Sequence, residues 1–320
     1  MARVVVRHRS SYRVHDGDTE RDAALTPGTL QRLQAQDAEP VVGDWCLLRV
    51  YDAGSLWVEA VLPRRSLLAR GSGHGTQPLV ANVDTALLLM GLDGNFNPRR
   101  LERYLLLVRG ADIAPVVVLS KADVCADAEP RVRQIRTLAG ASVPVLCGDM
   151  RDPGLRDALA PWLQPGQTLV LLGSSGVGKS TLANTLLGDV RQATGAVSGA
   201  DDRGRHTTVS RQLLLLPAGA CLIDTPGLRE LQLSGGEQLG DGAFEDIAAL
   251  AQHCRYADCR HDGEPGCAVA SAVAAERLAH YHKLARELAQ LQRTPAHARA
   301  QRQKDKAQSR ALRRFYRDEP

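Results

Sequence analysis

The chain has 320 residues, more than a single hydrophobic core usually serves, so two or three domains are expected. Hydrophobic residues make up 44% and charged residues 24%, a balance that excludes wholesale disorder and a fibrous repeat. The net charge of +4 is unevenly spread: from Arg277 to Pro320 twelve Lys and Arg stand against four acidic residues, a +8 end on a body of −4.

The stretch from Met1 to Val14 holds no apolar run long enough for a signal peptide, and nothing approaches the roughly 18 apolar residues of a membrane span. A cytoplasmic chain with no membrane partner is expected. Residues 1–75 read as short β pieces, Ala2 to Val6, Val41 to Val50 and Ser55 to Leu62, separated by turn-prone Asp16-Gly17 and Asp52-Ala53-Gly54. A small antiparallel barrel follows from that pattern, with Trp45, Tyr51 and Trp57 expected in its core and base stacking as the alternative. Arg70 to Pro78 reads as a flexible linker.

Between about residues 79 and 235 the texture changes to apolar runs, Ala86 to Met90, Val116 to Leu119, Val143 to Leu146, Leu169 to Leu172 and Cys221 to Ile223. Helix-compatible segments such as Leu101 to Val108 and Val132 to Leu138 lie between them, so a mostly parallel sheet covered by helices is expected. Ligands of such sheets bind where strands end, which directs attention to the turns that follow them.

The first such turn is Ser120-Lys121-Ala122-Asp123, similar to the N/T-K-x-D guanine motif of GTPases. A carboxylate at Asp123 can accept from both guanine N1–H and the N2 amino group, and adenine lacks that paired edge. The tetrapeptide is weak alone. Ser120 replaces the usual Asn, and its short hydroxyl cannot make both the base and the loop contacts of an amide, so lowered affinity with specificity retained is expected.

The strand from Thr168 to Leu172 runs into Gly173-Ser174-Ser175-Gly176-Val177-Gly178-Lys179-Ser180-Thr181 and then a helical segment. This is G-x4-G-K-S in the strand-to-helix setting that gives it meaning: backbone N–H groups curl around phosphates at a helix N-terminus. Lys179 would reach the β and γ phosphates and the Ser180 hydroxyl would ligate Mg2+. Only two lysines occur in the first 282 residues, Lys121 and Lys179, so an arginine-using chain keeps lysine at both motifs.

Cys221 to Gly227 ends in D-x-x-G, where Asp224 can hold Mg2+ through water and the Gly227 N–H can face the γ-phosphate. Ser198 to Thr208 reads as a loop ending in hydroxyls, and Thr207 or Thr208 could complete the magnesium shell when GTP is bound. Asp123 precedes Lys179, the reverse of the ordinary GTPase order. A circular permutation would preserve the pocket while moving the termini.

Cys254, Cys259, His261 and Cys267 supply three thiolates and one imidazole at the spacing of a tetrahedral Cys3His site, so one structural Zn2+ is expected. With four protein ligands no position is open for catalysis. Leu278, Tyr281, Leu284, Leu288 and Leu291 then recur at helical spacing, and the basic tail beyond Pro295 is expected to be disordered until it meets a partner.

Taken in this order, with Val42-Gly43-Asp44-Trp45, Val80-Ala81-Asn82-Val83-Asp84, Gly204-Arg205-His206-Thr207-Thr208 and Glu264-Pro265-Gly266-Cys267-Ala268-Val269, the chain resembles the RsgA (YjeQ) family of circularly permuted bacterial GTPases. The resemblance implies an α/β fold: a circularly permuted P-loop GTPase domain with an N-terminal OB-fold β-barrel and a small C-terminal zinc-binding α-helical domain. The expected divisions are 1–75, 76–238 and 239–292, with a basic tail at 293–320. It also implies GTP hydrolysis to GDP, stimulated by the small (30S) ribosomal subunit during its late maturation, with contact to ribosomal RNA and release of assembly factors or of the GTPase itself. A monomer is expected. Leu228 stands where many GTPases have glutamine, so His206 is the candidate for positioning the attacking water, a structural switch-loop histidine being the alternative. Two other readings remain: a large-subunit assembly GTPase, against which the barrel and Cys3His pairing argue, and an RNA-binding scaffold with a regulatory nucleotide site, raised by Ser120 and Leu228.

Overall fold

A computed structural model describes residues 1–8, 11–51, 54–72, 75–188, 211–225, 232–240 and 243–293. They divide into two compact units, Met1–Leu68 with Pro78–Leu231, and Ala69–Gln77 with Gln232–Pro320. Among the described residues no helix is long and apolar enough to cross a membrane.

The first unit begins with β1 (Ala2–Arg7), β2 (Ser11–His15), β3 (Glu20–Ala24), α1 (Pro27–Ala35), β4 (Trp45–Val50) and β5 (Leu56–Val61). The strands pair in the order β1-β2-β3-β5-β4, and β4 returns to β1 through Ala2 with Cys46 and Arg3 with Trp45, closing a five-stranded barrel. Only β3 with β5 is parallel, and the ring has the strand order of an OB-fold. Ala2, Val4, Tyr12, Val14, Ala23, Cys46, Leu56 and Val58 fill it. Trp45 and Tyr51 do not belong to that core: they are 37% and 50% exposed, and Trp57 is half-buried with its ring edge-on to Tyr51. Alternation along β4 sends Cys46 inward, and the bulkier Trp45 and Leu47 therefore face out.

The turn Val42-Gly43-Asp44 locks the barrel wall. Gly43 has φ +96° and donates to Val4 O, and a Cβ there would collide with Ala81 O, so only glycine fits. The Asp44 carboxylate, fully buried, accepts from Val41 N at 2.8 Å and from Arg64 Nε and Nη2 at 2.8 and 2.7 Å. Arg64→Met would leave that carboxylate buried without its cation, and we expect it to destabilise the fold by about 3–5 kcal/mol in urea unfolding. A change below about 1 kcal/mol would show that Asp44 finds another partner.

Strands β6 (Leu67–Ser72) and β7 (Gly75–Ala81) form a two-stranded sheet where a flexible linker was expected over Arg70 to Pro78. Gly71 explains the misleading composition. Its N–H donates to Gln232 O, and a Cβ would run into Leu233 O, so glycine serves a close backbone approach here.

The central sheet follows: β8 (Thr85–Gly91), α2 (Pro98–Arg109), β9 (Ala114–Ser120), α3 (Ala128–Ala139), β10 (Val145–Cys147), α4 (Pro153–Leu159), β11 (Thr168–Gly173), α5 (Lys179–Leu187), β12 (Gln212–Leu215) and β13 (Cys221–Asp224). Its order is β10-β9-β8-β11-β13-β12, with the first five strands parallel and β12 antiparallel to β13. Strands β8, β9 and β11 are almost entirely buried, which accounts for their continuous apolar runs. On its outer edge β12 pairs with β1 through Gln212 and Val6, so barrel and central sheet share one hydrogen-bonded sheet. Arg3 reinforces the join, donating to Gly43 O, Asn82 O and Thr168 Oγ1.

The second unit holds α6 (Glu245–Ala251), α7 (Ala268–Ala272) and α8 (Ala275–Gln292). Leu284 and Leu288 of α8 are buried, while Leu278, Tyr281 and Leu291 are half-buried on the face anticipated from their spacing. The Tyr281 ring stands edge-on to buried Phe244, 5.4 Å between centroids. The tail beyond residue 293 lies outside the described residues.

Candidate nucleotide and metal sites

Four parallel strands bring their carboxyl ends to one edge. Gly91 stands beside Ser120, Gly173 beside Leu89, and Ile223 beside Val170, so the turns after β8, β9, β11 and β13 open on the same side. A chain crossing back and forth through helices can place its ligand contacts only there.

The phosphate loop spans Gly173 to Ser180 between β11 and α5. Glycine is demanded at two points: a Cβ on Gly173 would lie 2.6 Å from Leu89 O, and Gly178, at φ +99°, would place one 2.8 Å from Met150 Cγ. Lys179 Nζ donates to Gly173 O at 2.9 Å and Ser174 O at 2.7 Å, drawing the ammonium across the mouth of the loop. Ser175 and Gly176 are exposed, and Ser180 and Thr181 stand half-buried in the first turn of α5. A glycine-rich cradle, an ammonium and a helix N-terminus make a site fitted to phosphate.

The guanine loop touches this cradle. Ser120, 2% exposed, donates from Oγ to Val177 O at 2.9 Å, so its hydroxyl is spent on the loop contact of the two expected of an amide. Lys121 adopts a left-handed backbone, φ +60°, and begins a short 3-10 turn over Ala122–Val124 in which Asp123 is exposed. Lys121 Nζ bonds Asp93 Oδ2 at 2.7 Å. Burial pushes the Asp93 carboxyl up, but hydrogen bonds from Lys121 and the Asn95 N–H outweigh it and hold the group below the usual carboxylate range. Asp93 was not singled out in the sequence, although it lies in the turn after a parallel strand, the position that the sheet rule marks.

At the end of β13, Asp224 is half-buried, and the next residue, Thr225, is fully buried and donates to Leu171 O at 2.8 Å. That bond ties the D-x-x-G strand to the strand that carries the phosphate loop. Gly227, His206, Thr207 and Thr208 lie outside the described residues.

In the second unit Cys254, Cys259, His261 and Cys267 place their ligand atoms within 4.8 Å of one another. His261 Nδ1 lies 3.6 Å from Cys254 Sγ and 3.5 Å from Cys267 Sγ, and the two sulfurs are 4.0 Å apart. Tetrahedral ligands at zinc bond lengths stand roughly 3.5–3.8 Å apart, so the donor set fits Zn2+ and Cys254, His261 and Cys267 already stand near that spacing. The return to Cys267 uses Gly263 and Gly266 at positive φ. Backbone N–H groups of Arg260 and Asp262 donate to the Glu264 carboxylate and hold it down to about 2, which fixes the loop between the ligands.

A family model described as RsgA GTPase matches residues 61–234. The chain belongs to the RsgA GTPase family. A relative from Xanthomonas axonopodis pv. citri, named small ribosomal subunit biogenesis GTPase RsgA, is 47% identical over 297 residues, covering 90% of this chain and 80% of its own. One of the same name from Xylella fastidiosa (strain 9a5c) is 46% identical over 296 residues, covering 90% of this chain and 85% of its own. Among solved structures, YjeQ from Thermotoga maritima aligns with TM-score 0.63 at 23% identity, over 92% of this chain and 98% of its own. YloQ, described as a circularly permuted GTPase, aligns with TM-score 0.60 at 21% identity, over 92% and 96%.

This RsgA-family chain is a GTPase whose sheet is circularly permuted. The strand carrying Ser120 comes before the strand carrying Gly173 in sequence, yet β8 alone separates them in the sheet. Permutation thus leaves the turns of an RsgA GTPase on one edge while altering which of them is made first.

Proposed function

We propose that this chain hydrolyses the β–γ phosphoanhydride of GTP under the control of the small ribosomal subunit, assists late maturation of that subunit and contacts its RNA. The observation that carries the nucleotide part is the Ser120 Oγ to Val177 O hydrogen bond, which seats the guanine loop on the phosphate loop. The ribosomal part is supported by relatives 46–47% identical over 90% of the chain that bear the name small ribosomal subunit biogenesis GTPase.

Asp123 accepts the paired donors of guanine, and the N–H groups around Gly173 to Lys179 receive the phosphates. Lys179 leaves the Gly173 and Ser174 carbonyls for the β and γ phosphates. Ser180 and Asp224, joined by Thr207 or Thr208, would hold Mg2+, which supplies neutralisation of charge on the phosphate oxygens when bound. His206 orients the water that attacks the γ-phosphorus; the β–γ bond breaks and GDP and inorganic phosphate leave. One Zn2+ held by Cys254, Cys259, His261 and Cys267 serves the second unit structurally, and a cytoplasmic monomer that releases assembly factors completes the reading.

GTP turnover measured with and without purified small subunits tests it. A rise of at least about tenfold is expected, and His206→Ala should keep GTP binding while losing most of that rise. Equal rates with and without small subunits would favour a scaffold with a regulatory site, and stimulation confined to large subunits would move the chain to that particle.

A further inference from the structure

Asp93 lies two residues beyond β8, in a turn that runs beside the guanine loop. Its Oδ2 accepts from Lys121 Nζ at 2.7 Å, and its Oδ1 accepts from Asn95 N at 3.0 Å. The turn is braced from both sides. Leu92 N donates to Ser120 O at 2.9 Å, Arg131 Nη1 donates to Leu92 O at 2.6 Å, and the Arg131 guanidinium lies 5.1 Å from the Phe96 ring centre. Gly91 makes room for the carboxylate, since a Cβ there would come within 2.5 Å of Asp93 Oδ1.

A lysine side chain has many rotamers, and a ligand that touches it must remove that freedom. Lys121 stands between Ser120, which seats the guanine loop on the phosphate loop, and Asp123, which is read as contacting guanine, so a swinging ammonium would have to be ordered with every nucleotide bound. An ion pair formed beforehand takes that ordering out of the binding step, which is how preorganisation raises affinity. With Lys121 36% and Asp93 25% exposed, Coulomb attraction alone is partly screened, and the fixed geometry of the turn matters more than the charge product.

We propose that Asp93 is a positioning residue for guanine nucleotides, holding Lys121 in the arrangement that the incoming nucleotide meets. The proposal rests on the reading of Ser120 to Asp123 as the guanine loop. Its test is a double-mutant cycle on the full chain with GDP as the probe. Asp93→Ala should weaken GDP binding by about five- to tenfold, whereas the same change in a Lys121→Ala background should shift it by less than about twofold. Asp93→Asn keeps the shape and one acceptor, should fall between, and gives the same cycle if the alanine variant does not fold. Unchanged GDP affinity in Asp93→Ala, or equal weakening in both backgrounds, would overturn the proposal, because a residue that only shapes its own turn does not need Lys121.

The underlying reading is checked apart from this. An amide at position 123 can donate to the oxygen that xanthine carries in place of the guanine amino group. Asp123→Asn should therefore gain xanthosine diphosphate and lose GDP. No such gain would remove the guanine loop and the proposal together, whereas a working exchange beside an unaffected Asp93→Ala would remove Asp93 alone.

Discussion

Lys179→Ala is expected to lower kcat/KM for GTP by about two to three orders of magnitude, the loss seen when one preorganised donor is removed from developing charge. The size follows from where the ammonium sits. Its Nζ lies across the loop mouth, bonded to Gly173 O and Ser174 O at 2.9 and 2.7 Å. Among the described residues of the loop no other side chain carries a positive charge, and a side chain in place of Gly173 or Gly178 is barred by Leu89 O and Met150. Lys179→Arg should recover little, because a planar fork cannot occupy the site of a compact ammonium between two carbonyls. Steady-state turnover with GDP affinity measured in parallel checks this. Retention of kcat/KM within about threefold would mean that phosphate charge is met elsewhere.

Cys267→Ser is expected to empty the metal site and unfold most of the second unit while leaving GDP binding by the first in place. Cys267 holds two positions at once: it is one of four converging ligands, and its Sγ accepts from Ala270 N at 3.3 Å as the N-cap of α7. Little else holds this region, whose buried apolar residues include Leu233, Phe244, Ile247, Val269, Leu284 and Leu288. A structural zinc contributes on the order of 10–16 kcal/mol in small domains, more than so small a core can supply. Zinc content should fall from one per chain to near zero, and protease should cut within 243–293 many times faster. Full zinc occupancy with an unchanged digestion pattern would sink the structural role. Chelation of the wild-type chain should reproduce the variant.

What could be read from the sequence was what lies contiguously along it. The phosphate loop, Ser120 to Asp123 and the Cys3His set each compress their chemistry into a few neighbouring residues, so spacing alone exposes them. Asp93 has no such company: its partner Lys121 is brought to it by the parallel pairing of β8 with β9, which only the fold displays. Trp45 and Tyr51 show a different limit. Alternation separates two faces of β4 without saying which is inside, and here the outer face carries the larger apolar side chains because small Cys46 fits the barrel interior. The β6–β7 hairpin was hidden by glycine, whose presence suits a crowded backbone crossing as well as a flexible linker.

The pairing of Val6 with Gln212 joins a strand near the start of the first unit to one near its end. During synthesis the barrel strands and the braced guanine loop emerge first, and N-terminal parts can fold before the rest of the chain is made. Strand β11 lies between β8, made before it, and β13, made after it, and β12 pairs with β1 on the outer edge. Contacts over such separations cost loop-closure entropy and form slowly, so we expect the phosphate half of the pocket to be completed after the barrel. Nucleotide binds only once both halves meet, and its binding energy then secures the strands that arrived latest.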